Sequence, residues 1–346
     1  MARILPVFLV GLCIGLVAIT ALPHNKYFRF QEHRLLNARK ADWIYERLTF
    51  DETPVDVAFI GTSRTAGGIS GPLIEHAYCQ ATGRNIRVVN LGMPQTGRDM
   101  DYLIAKELLQ TKQPKLLMLQ VTEIEGRKPH PGFLQLADAS DILTAPLLIN
   151  FNWPKNIASL PGRQMSLFKT TQLNRPALRQ KFDSEEYFGI DMDRTEGIVL
   201  IDGSFKSRDV SLSEEKLDKA YKRRKAAFSR TYILPKPLQF LEYRLSRVYL
   251  ERIFDMAQTN GAEIAFNYMP AYRFDVPVPD HILELTKGAN VYNLNEEIID
   301  DFTMWLDPNH PNTTGSRIAS LKAAAYMAVD FPTLGTPGTC DPSALD

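Results

Sequence analysis

The sequence predicts an α/β protein whose central sheet is mainly parallel. The evidence is an alternation of short apolar runs with longer segments of helical periodicity. The runs at 55–60, 87–91 and 115–121 predict strands, because they are rich in residues that pack well on a pleated surface. The segments between them, 72–80 and 100–110, predict helices. A strand, helix, strand, helix, strand order predicts crossover connections with helices covering the sheet.

The second half of the chain returns to this pattern. Residues 238–260 carry apolar side chains on one stripe and end at Gly261, which predicts a helix with a glycine cap. Two further strands are predicted at 263–266 and 291–294. A helix at 316–329 closes the predicted sheet.

The composition limits the number of domains and the classes of binding partner that can be expected. The 346 residues are 45% hydrophobic and 23% charged, with a formal net charge of zero. This is enough chain for a sizeable core, and it predicts one long domain or one domain with an insertion. The chain lacks the excess of positive charge that is typical of nucleic-acid-binding proteins, so no nucleic-acid partner is expected. The basic run 222–225 follows acidic residues and predicts a solvated helix face rather than a phosphate-binding patch.

The N-terminal region predicts a membrane anchor. Residues 4–22 are apolar apart from Thr20, and their length suits a membrane-spanning helix. A poor cleavage site favours an uncleaved signal anchor over 1–23, and a cleaved signal peptide is the alternative. Residues 24–50 mix charged and aromatic side chains and predict a helical stalk. The main domain then covers 51–334.

Two segments fall outside the regular pattern. The alternation fails between 126 and 236, where we expect a mostly helical insertion over the carboxyl edge of the sheet. The alternative is a disordered segment or a surface loop with no role in function. The tail, 335–346, is rich in proline and glycine in its first part.

The cysteines and histidines carry limited information. Cys13 lies in the apolar N-terminal run, which leaves Cys79 and Cys340 as the pair that an oxidising compartment could join. Two free thiols are the alternative. The six histidines show no metal-ligand spacing, so we expect no metal and no cofactor.

Ser63 directly follows the first predicted strand, after Gly61 and Thr62. In an open α/β sheet, ligands bind at the carboxyl ends of the strands. A hydroxyl at this edge is therefore a candidate nucleophile. The alternative, which is the commoner role of a serine after a strand, is a turn or a helix N-cap.

The base and the carboxylate that such a nucleophile needs are found together near the other end of the chain. Asp307-x-x-His310 contains both residue types. Three residues apart on a turn, the two side chains can lie on one face, with His310 directed at Ser63 and Asp307 behind it. The alternative is a solvated turn before a helix.

These segments resemble the sequence blocks of a known family. Gly61-Thr62-Ser63, the run from Asn90 to Gly97, and Asp307-x-x-His310 are similar in order and spacing to the blocks of SGNH (GDSL-type) hydrolases. More narrowly, the pattern resembles the membrane-anchored SGNH-like proteins of bacterial exopolysaccharide and cell-envelope acylation. The resemblance covers residues 50–125 and 260–330. It implies a three-layer α/β/α fold with a flavodoxin-like sheet and a catalytic domain outside the cytoplasmic membrane.

An oxyanion hole must offer hydrogen-bond donors where negative charge develops. The backbone N–H groups of Ser63 and Arg64 are candidates, since a helix start leaves them free. The resemblance implies a further donor in the loop after the second strand, where the family uses a glycine. By offset this position is Gln95, with Gly92 and Gly97 as further candidates, and the alternative for both glycines is a turn role.

The third block of the family, Gly-x-Asn-Asp, is missing. Thr122 and Glu123 stand after the third strand instead. Thr122 offers a hydroxyl, whereas the carboxylate of Glu123 would repel an oxyanion unless it were protonated. Both are candidates for a substrate-binding rim together with Tyr268, for which packing is the alternative.

The resemblance implies serine-dependent transfer of an acyl group, in the first instance acetyl, or ester hydrolysis, on an exopolysaccharide or envelope glycan. A polysaccharide would be the acceptor, and a membrane protein would supply the acyl donor. The alternative is a non-catalytic assembly or carbohydrate-binding component of a polysaccharide synthesis or export system. The missing third block supports that alternative, and the joint presence of Ser63, Asp307 and His310 opposes it.

Overall fold

A computed structural model gives the architecture of the chain. It describes residues 4–32, 40–148, 150–175, 177, 180–187, 191–200, 203–228, 234–274 and 276–340.

The strands of the described residues are short and few of them exceed four residues. They are β1 (Val57–Ile60), β2 (Arg84–Asn85), β3 (Val88–Asn90), β4 (Leu116–Val121), β5 (Gly197–Val199), β6 (Phe205–Ser207), β7 (Glu263–Tyr268), β8 (Val291–Asn293), β9 (Trp305–Asp307), β10 (His310–Pro311) and β11 (Thr336–Pro337).

Five of these strands form the central sheet. Their order is β3-β1-β4-β7-β8, and every neighbouring pair is parallel. All carboxyl ends therefore meet at one edge. The predicted α/β class with a mainly parallel sheet is confirmed, and the five strands of the sheet correspond to the five predicted apolar runs.

The α-helices of the described residues range from four to eighteen residues. They are α1 (Ile4–Thr20), α2 (Lys26–Glu32), α3 (Lys40–Thr49), α4 (Ser63–Gly68), α5 (Gly71–Thr82), α6 (Arg98–Thr111), α7 (Phe133–Leu136), α8 (Ala139–Leu143), α9 (Trp153–Phe168), α10 (Glu214–Phe228), α11 (Gln239–Glu242), α12 (Arg244–Asn260), α13 (Asp280–Leu283) and α14 (Thr313–Asp330).

Helices cover both faces of the sheet. Side chains alternate along β1, so that Val57 and Phe59 pack in one apolar cluster with residues of α5 and α14. Ala58 and Ile60 point to the other face and pack with residues of α3, α6 and α12. All four side chains are fully buried, which explains why the strand lacks a polar face.

The N-terminal segments differ from the prediction. The segment at 24–50 packs into the core instead of forming a stalk, because its aromatic residues bury one helical face; Trp43 and Ile44 are at most 1% exposed. Residues 33–39 of that segment lie outside the described residues. The helix α1 lies within the predicted anchor and is 17 residues long. Across the described ranges, no helix combines the length and the apolar character that crossing a membrane requires, so the predicted transmembrane helix is not found.

The insertion at 126–236 contains α7 to α10 and the antiparallel hairpin β5–β6. It is held against the scaffold, since Leu217 of α10 is fully buried in a cluster with Tyr272 and Trp305. The described part of the insertion therefore packs against the scaffold and is not a disordered segment.

The C-terminal tail is tied to the scaffold by a covalent bond. Cys79 of α5 and Cys340 form a disulfide. The strand β11 in the same tail pairs with β2. Residues 341–346 of the predicted tail lie outside the described residues.

Candidate active site

The Ser63 turn leaves the sheet at the carboxyl end of β1. Thr62 is the N-cap of α4, and its hydroxyl accepts a hydrogen bond from the Arg64 N–H. Ser63 is the first residue of the helix. Gly61 precedes the cap, and a Cβ at this position would lie 2.5 Å from both Gln120 Cβ and Thr65 Oγ1. Only glycine therefore fits where the strand turns into the helix.

Gln120 fixes this turn from the neighbouring strand β4. Its side-chain carbonyl accepts hydrogen bonds from the Thr62 N–H at 2.8 Å, the Thr62 hydroxyl at 3.0 Å and the Thr65 hydroxyl at 2.9 Å. Gln120 is buried. Our sequence analysis missed this residue, although it is the one polar side chain in the apolar run of β4.

The structure brings Ser63, His310 and Asp307 together. His310 Nε2 lies 2.8 Å from Ser63 Oγ. Its other ring nitrogen, Nδ1, lies 2.9 Å from Asp307 Oδ1 and 2.8 Å from Oδ2. Asp307 and His310 are paired positions of the β9–β10 hairpin, which holds the acid and the base in a fixed register.

The electrostatics of Asp307 favour its ionised form. Burial alone would raise the pKa of this carboxyl. Hydrogen bonding to the His310 ring, the charge of His310 and the backbone N–H groups of Asn309 and His310 outweigh burial and hold the pKa of Asp307 below its usual range. The two N–H groups lie 2.8 and 3.1 Å from Oδ1. Asp307 can thus orient His310 and stabilise a positive charge on its ring.

Arg208 is a second residue that our sequence analysis missed. Its guanidinium is buried and donates to the carbonyl oxygen of Pro311 at 2.7 Å, next to His310. Burial lowers the pKa of Arg208, and the negative charge of Asp307 acts against that effect. No local sequence signal indicates that Arg208 contacts the residue next to His310, because Arg208 belongs to the insertion.

A cavity of about 310 Å³ opens beside Ser63. Loops from the carboxyl ends of β1, β3 and β4 line it, as expected for a ligand site in an open α/β sheet. Phe274, His310 and Arg224 of α10 complete the wall. The insertion therefore contributes directly to the cavity.

The residues predicted for the oxyanion hole fall into two groups, those that line the cavity beside Ser63 and those that do not. Arg64 and Gln95 line the cavity with Ser63, and Gln95 has a positive φ of 75°. The Arg64 N–H is not free as predicted, because it donates to the Thr62 hydroxyl at 3.3 Å. Gly92 does not fit the prediction, because its N–H donates to Asn90 Oδ1 at 3.0 Å and a Cβ on it would strike the backbone of α4. Gly97 is the N-cap of α6 and borders a small neighbouring cavity.

Only some of the residues predicted for the substrate-binding rim line the cavity. Thr122 and Glu123 line the cavity. Tyr268 does not line it: the ring is 3% exposed, and its hydroxyl donates to the Val276 carbonyl at 2.8 Å. Packing, the alternative for Tyr268, is what the structure shows.

Glu123 is neutralised by a cation rather than left to repel an oxyanion. Its Oε2 lies 2.8 Å from Arg64 Nη1. Its other oxygen accepts the Ala271 N–H at 2.7 Å. The Glu123 carboxylate therefore binds the loop after β7 and positions the Arg64 guanidinium.

The basic run at 222–225 is only partly a solvated face. Lys222, Arg223 and Lys225 are exposed, as predicted, but Arg224 is half-buried and lines the cavity. Its Nη2 donates to Asn309 Oδ1. Among the described residues, no cluster of three side chains has the geometry of a metal site.

Comparison with known proteins adds no relative. Neither a protein-family model nor a curated protein sequence matches the chain.

Proposed function

We propose that the protein is a serine-dependent acyl-transfer enzyme of the SGNH type. The observation that carries the proposal is the hydrogen-bonded series from Ser63 through His310 to Asp307, which opens onto a cavity at the carboxyl edge of the sheet. His310 accepts the proton of the Ser63 hydroxyl as it attacks an ester carbonyl, and Asp307 stabilises the resulting imidazolium. His310 then returns the proton to the leaving group.

The developing oxyanion needs donors close to Ser63. The first N–H groups of a helix have no partner within that helix, which makes the Ser63 N–H an available donor at the start of α4. The loop at Gln95 also lines the cavity. Pairing of Glu123 with Arg64 supports the proposal, because it removes the repulsion that an unpaired carboxylate would exert.

The acyl-enzyme on Ser63 reacts with a sugar hydroxyl in a transferase and with water in an esterase. Both reactions use the same intermediate. An exopolysaccharide or envelope glycan is the proposed acceptor, acetyl the proposed acyl group, and a membrane protein the proposed donor. These parts of the proposal derive from the SGNH resemblance of the three sequence blocks.

We also propose that the catalytic domain lies outside the cytoplasmic membrane. The Cys79–Cys340 disulfide supports this location, because disulfides persist in oxidising compartments. Attachment to the membrane through α1 is part of the same proposal. Val10, Ile14 and Val17 support it, since they are 59, 65 and 67% exposed and apolar. Alkaline carbonate extraction tests attachment, and release of the full chain into the supernatant would contradict it.

Covalent labelling tests the proposed nucleophile. The purified chain is incubated with a fluorophosphonate, and the modified residue is located by peptide mass spectrometry. We expect labelling of Ser63, none in Ser63→Ala, and unchanged labelling in Ser140→Ala, which alters an exposed serine of α8. Absence of label from Ser63 would favour the alternative function, a non-catalytic assembly or carbohydrate-binding component.

A further inference from the structure

Two guanidinium groups converge on one wall of the cavity. Arg224 Nη2 and Arg64 Nη2 both donate to the same acceptor, Asn309 Oδ1, the second at 3.4 Å. The Arg224 side chain is 23% exposed, whereas that of Arg64 is 12% exposed. Both side chains therefore lie at the cavity surface. Arg64 directly follows Ser63 in the chain, and the shared acceptor Asn309 directly precedes His310.

The charge on this wall is unbalanced. Among the described residues that line the cavity, Glu123 is the one carboxylate, and it is 2.8 Å from Arg64 Nη1 but 3.9 Å from Arg224 Nη1. One carboxylate thus faces two guanidinium groups. Arg224 Nη1 makes no hydrogen bond within the described part of the chain.

Holding these cations together is unfavourable without a further anion. Burial and then the charge of Arg64 lower the pKa of Arg224, while Glu123 and Asp307 act in the opposite direction. The ionised form of Arg224 is therefore less stable here than in water. An anionic group entering the cavity would reduce that cost.

We propose that Arg224, with Arg64 behind it, binds a carboxylate of the substrate, so that the cavity selects acidic esters. One unbalanced positive charge matches a singly charged carboxylate better than a doubly charged phosphate monoester. The carboxylate belongs either to an acidic sugar that bears the ester or to a dicarboxylic acyl group. The inference rests on the proposed function for the identity of the ester, but binding of the carboxylate is measurable without catalysis.

Pairs of esters that differ only in one carboxylate test whether the cavity prefers acidic substrates. Acetylated methyl galacturonoside and acetylated methyl galactoside differ in the sugar carboxylate, and p-nitrophenyl hemisuccinate and p-nitrophenyl acetate differ in the acyl carboxylate. The wild type should prefer the acidic member of one pair. Arg224→Gln should lower kcat/KM for that member about ten- to hundredfold through KM, the range for one hydrogen bond to a charged group, and should lower it much less for the neutral member.

Two variants separate recognition from structure. Arg224→Lys keeps the charge and should retain part of the preference, and Arg223→Gln removes the exposed neighbouring charge and should retain all of it. An equal loss for acidic and neutral esters in Arg224→Gln would overturn the proposal, as would equal rates for both in the wild type.

Binding measurements keep this test independent of catalysis. Calorimetric titration of the full chain with methyl galacturonoside, methyl galactoside and monomethyl succinate requires no turnover. Tighter binding of one carboxylate ligand, lost in Arg224→Gln, supports the subsite even if Ser63 is not labelled. Absence of any carboxylate preference overturns the subsite even if Ser63 is labelled. Binding of inorganic phosphate in preference to both carboxylates also contradicts it.

Discussion

His310 Nε2 lies 2.8 Å from Ser63 Oγ although 247 positions separate the two residues. The contact depends on how the start of α14 meets the end of α4. The Ser316 hydroxyl donates to the Gly67 carbonyl at 3.0 Å and so joins the two helices on which the base and the nucleophile depend. Because the two residues are distant in the chain, the pair forms only through tertiary contacts such as this one.

Gln120 should be required for an ordered nucleophile turn. In Gln120→Met, the Thr62 N–H and the hydroxyls of Thr62 and Thr65 lose their shared acceptor. We expect the free energy of unfolding to fall by about 1–3 kcal/mol, with kcat reduced more than KM is raised. Chemical denaturation and ester kinetics measure both effects. Gln110→Met, at an exposed position of α6, is the control, and equal behaviour of the two variants would refute this role.

The disulfide should stabilise the fold by restricting the unfolded chain. It joins residues 261 positions apart, so that Cys79→Ser is expected to lower stability. The expected loss is about 2–5 kcal/mol, measured by denaturation without reductant. Cys340→Ser should match it, and the double variant should be no worse than either, because one bond is lost in each case. Additive losses would show that the cysteines act separately.

Asp99 should make stability fall with rising pH. Burial raises the pKa of this carboxyl to about 8, against the opposing effect of the His130 N–H that it accepts. The folded state keeps the proton that the unfolded state releases near the ordinary value of 3.8. The stabilisation is therefore complete below about pH 4 and is lost as the pH rises to about 8, by about 1.4 kcal/mol per pH unit.

Asp99→Asn removes this titration and should make the stability profile less steep between these limits. Part of the slope should remain, because burial also raises the pKa of Glu75 to about 7 and that of Asp101 to about 6. Denaturation at a series of pH values measures the slope for each variant. Asp209→Asn, which alters an exposed carboxylate, should keep the slope of the wild type. A slope that persists unchanged in Asp99→Asn would contradict the assignment.

The members of the candidate triad should act as one unit. Ser63→Ala and His310→Ala should each remove nearly all ester turnover, and the double variant should be little worse than either. Asp307→Asn should cost less than loss of Ser63, because nucleophile and base remain, yet reduce kcat by orders of magnitude. Steady-state kinetics on a small ester measure these effects. Multiplicative losses in the double variant would show that serine and histidine act independently.

The sheet was predictable because β1, β3 and β4 are buried on both faces and therefore appear as continuous apolar runs. The end of α12 was predictable for a local reason as well, since Gly261 adopts the left-handed conformation with φ of 69°. The segment at 24–50 was not. Whether Trp43 and Ile44 face solvent or a core depends on the helices beside them, which no local pattern reveals.

The candidate site was predictable where chemistry dictates residue type. Ser63, Asp307 and His310 could be proposed because a nucleophile, a base and a carboxylate are recognisable at these spacings. Arg224 could not, since the phase of α10 relative to the cavity decides which residue of its basic run turns inward. Glu123 was expected to oppose an oxyanion, because its partner Arg64 lies 59 positions away and their pairing is a property of the fold.

Trapping the acyl-enzyme tests the central claim most directly. The wild-type chain is mixed with p-nitrophenyl acetate, quenched in acid during turnover, digested and analysed by mass spectrometry. We expect an acetyl group on the peptide that contains Ser63, formed with a burst of p-nitrophenol, and neither signal in Ser63→Ala. Turnover of the ester by folded Ser63→Ala at the rate of the wild type, with no acylated Ser63 in either protein, would contradict it.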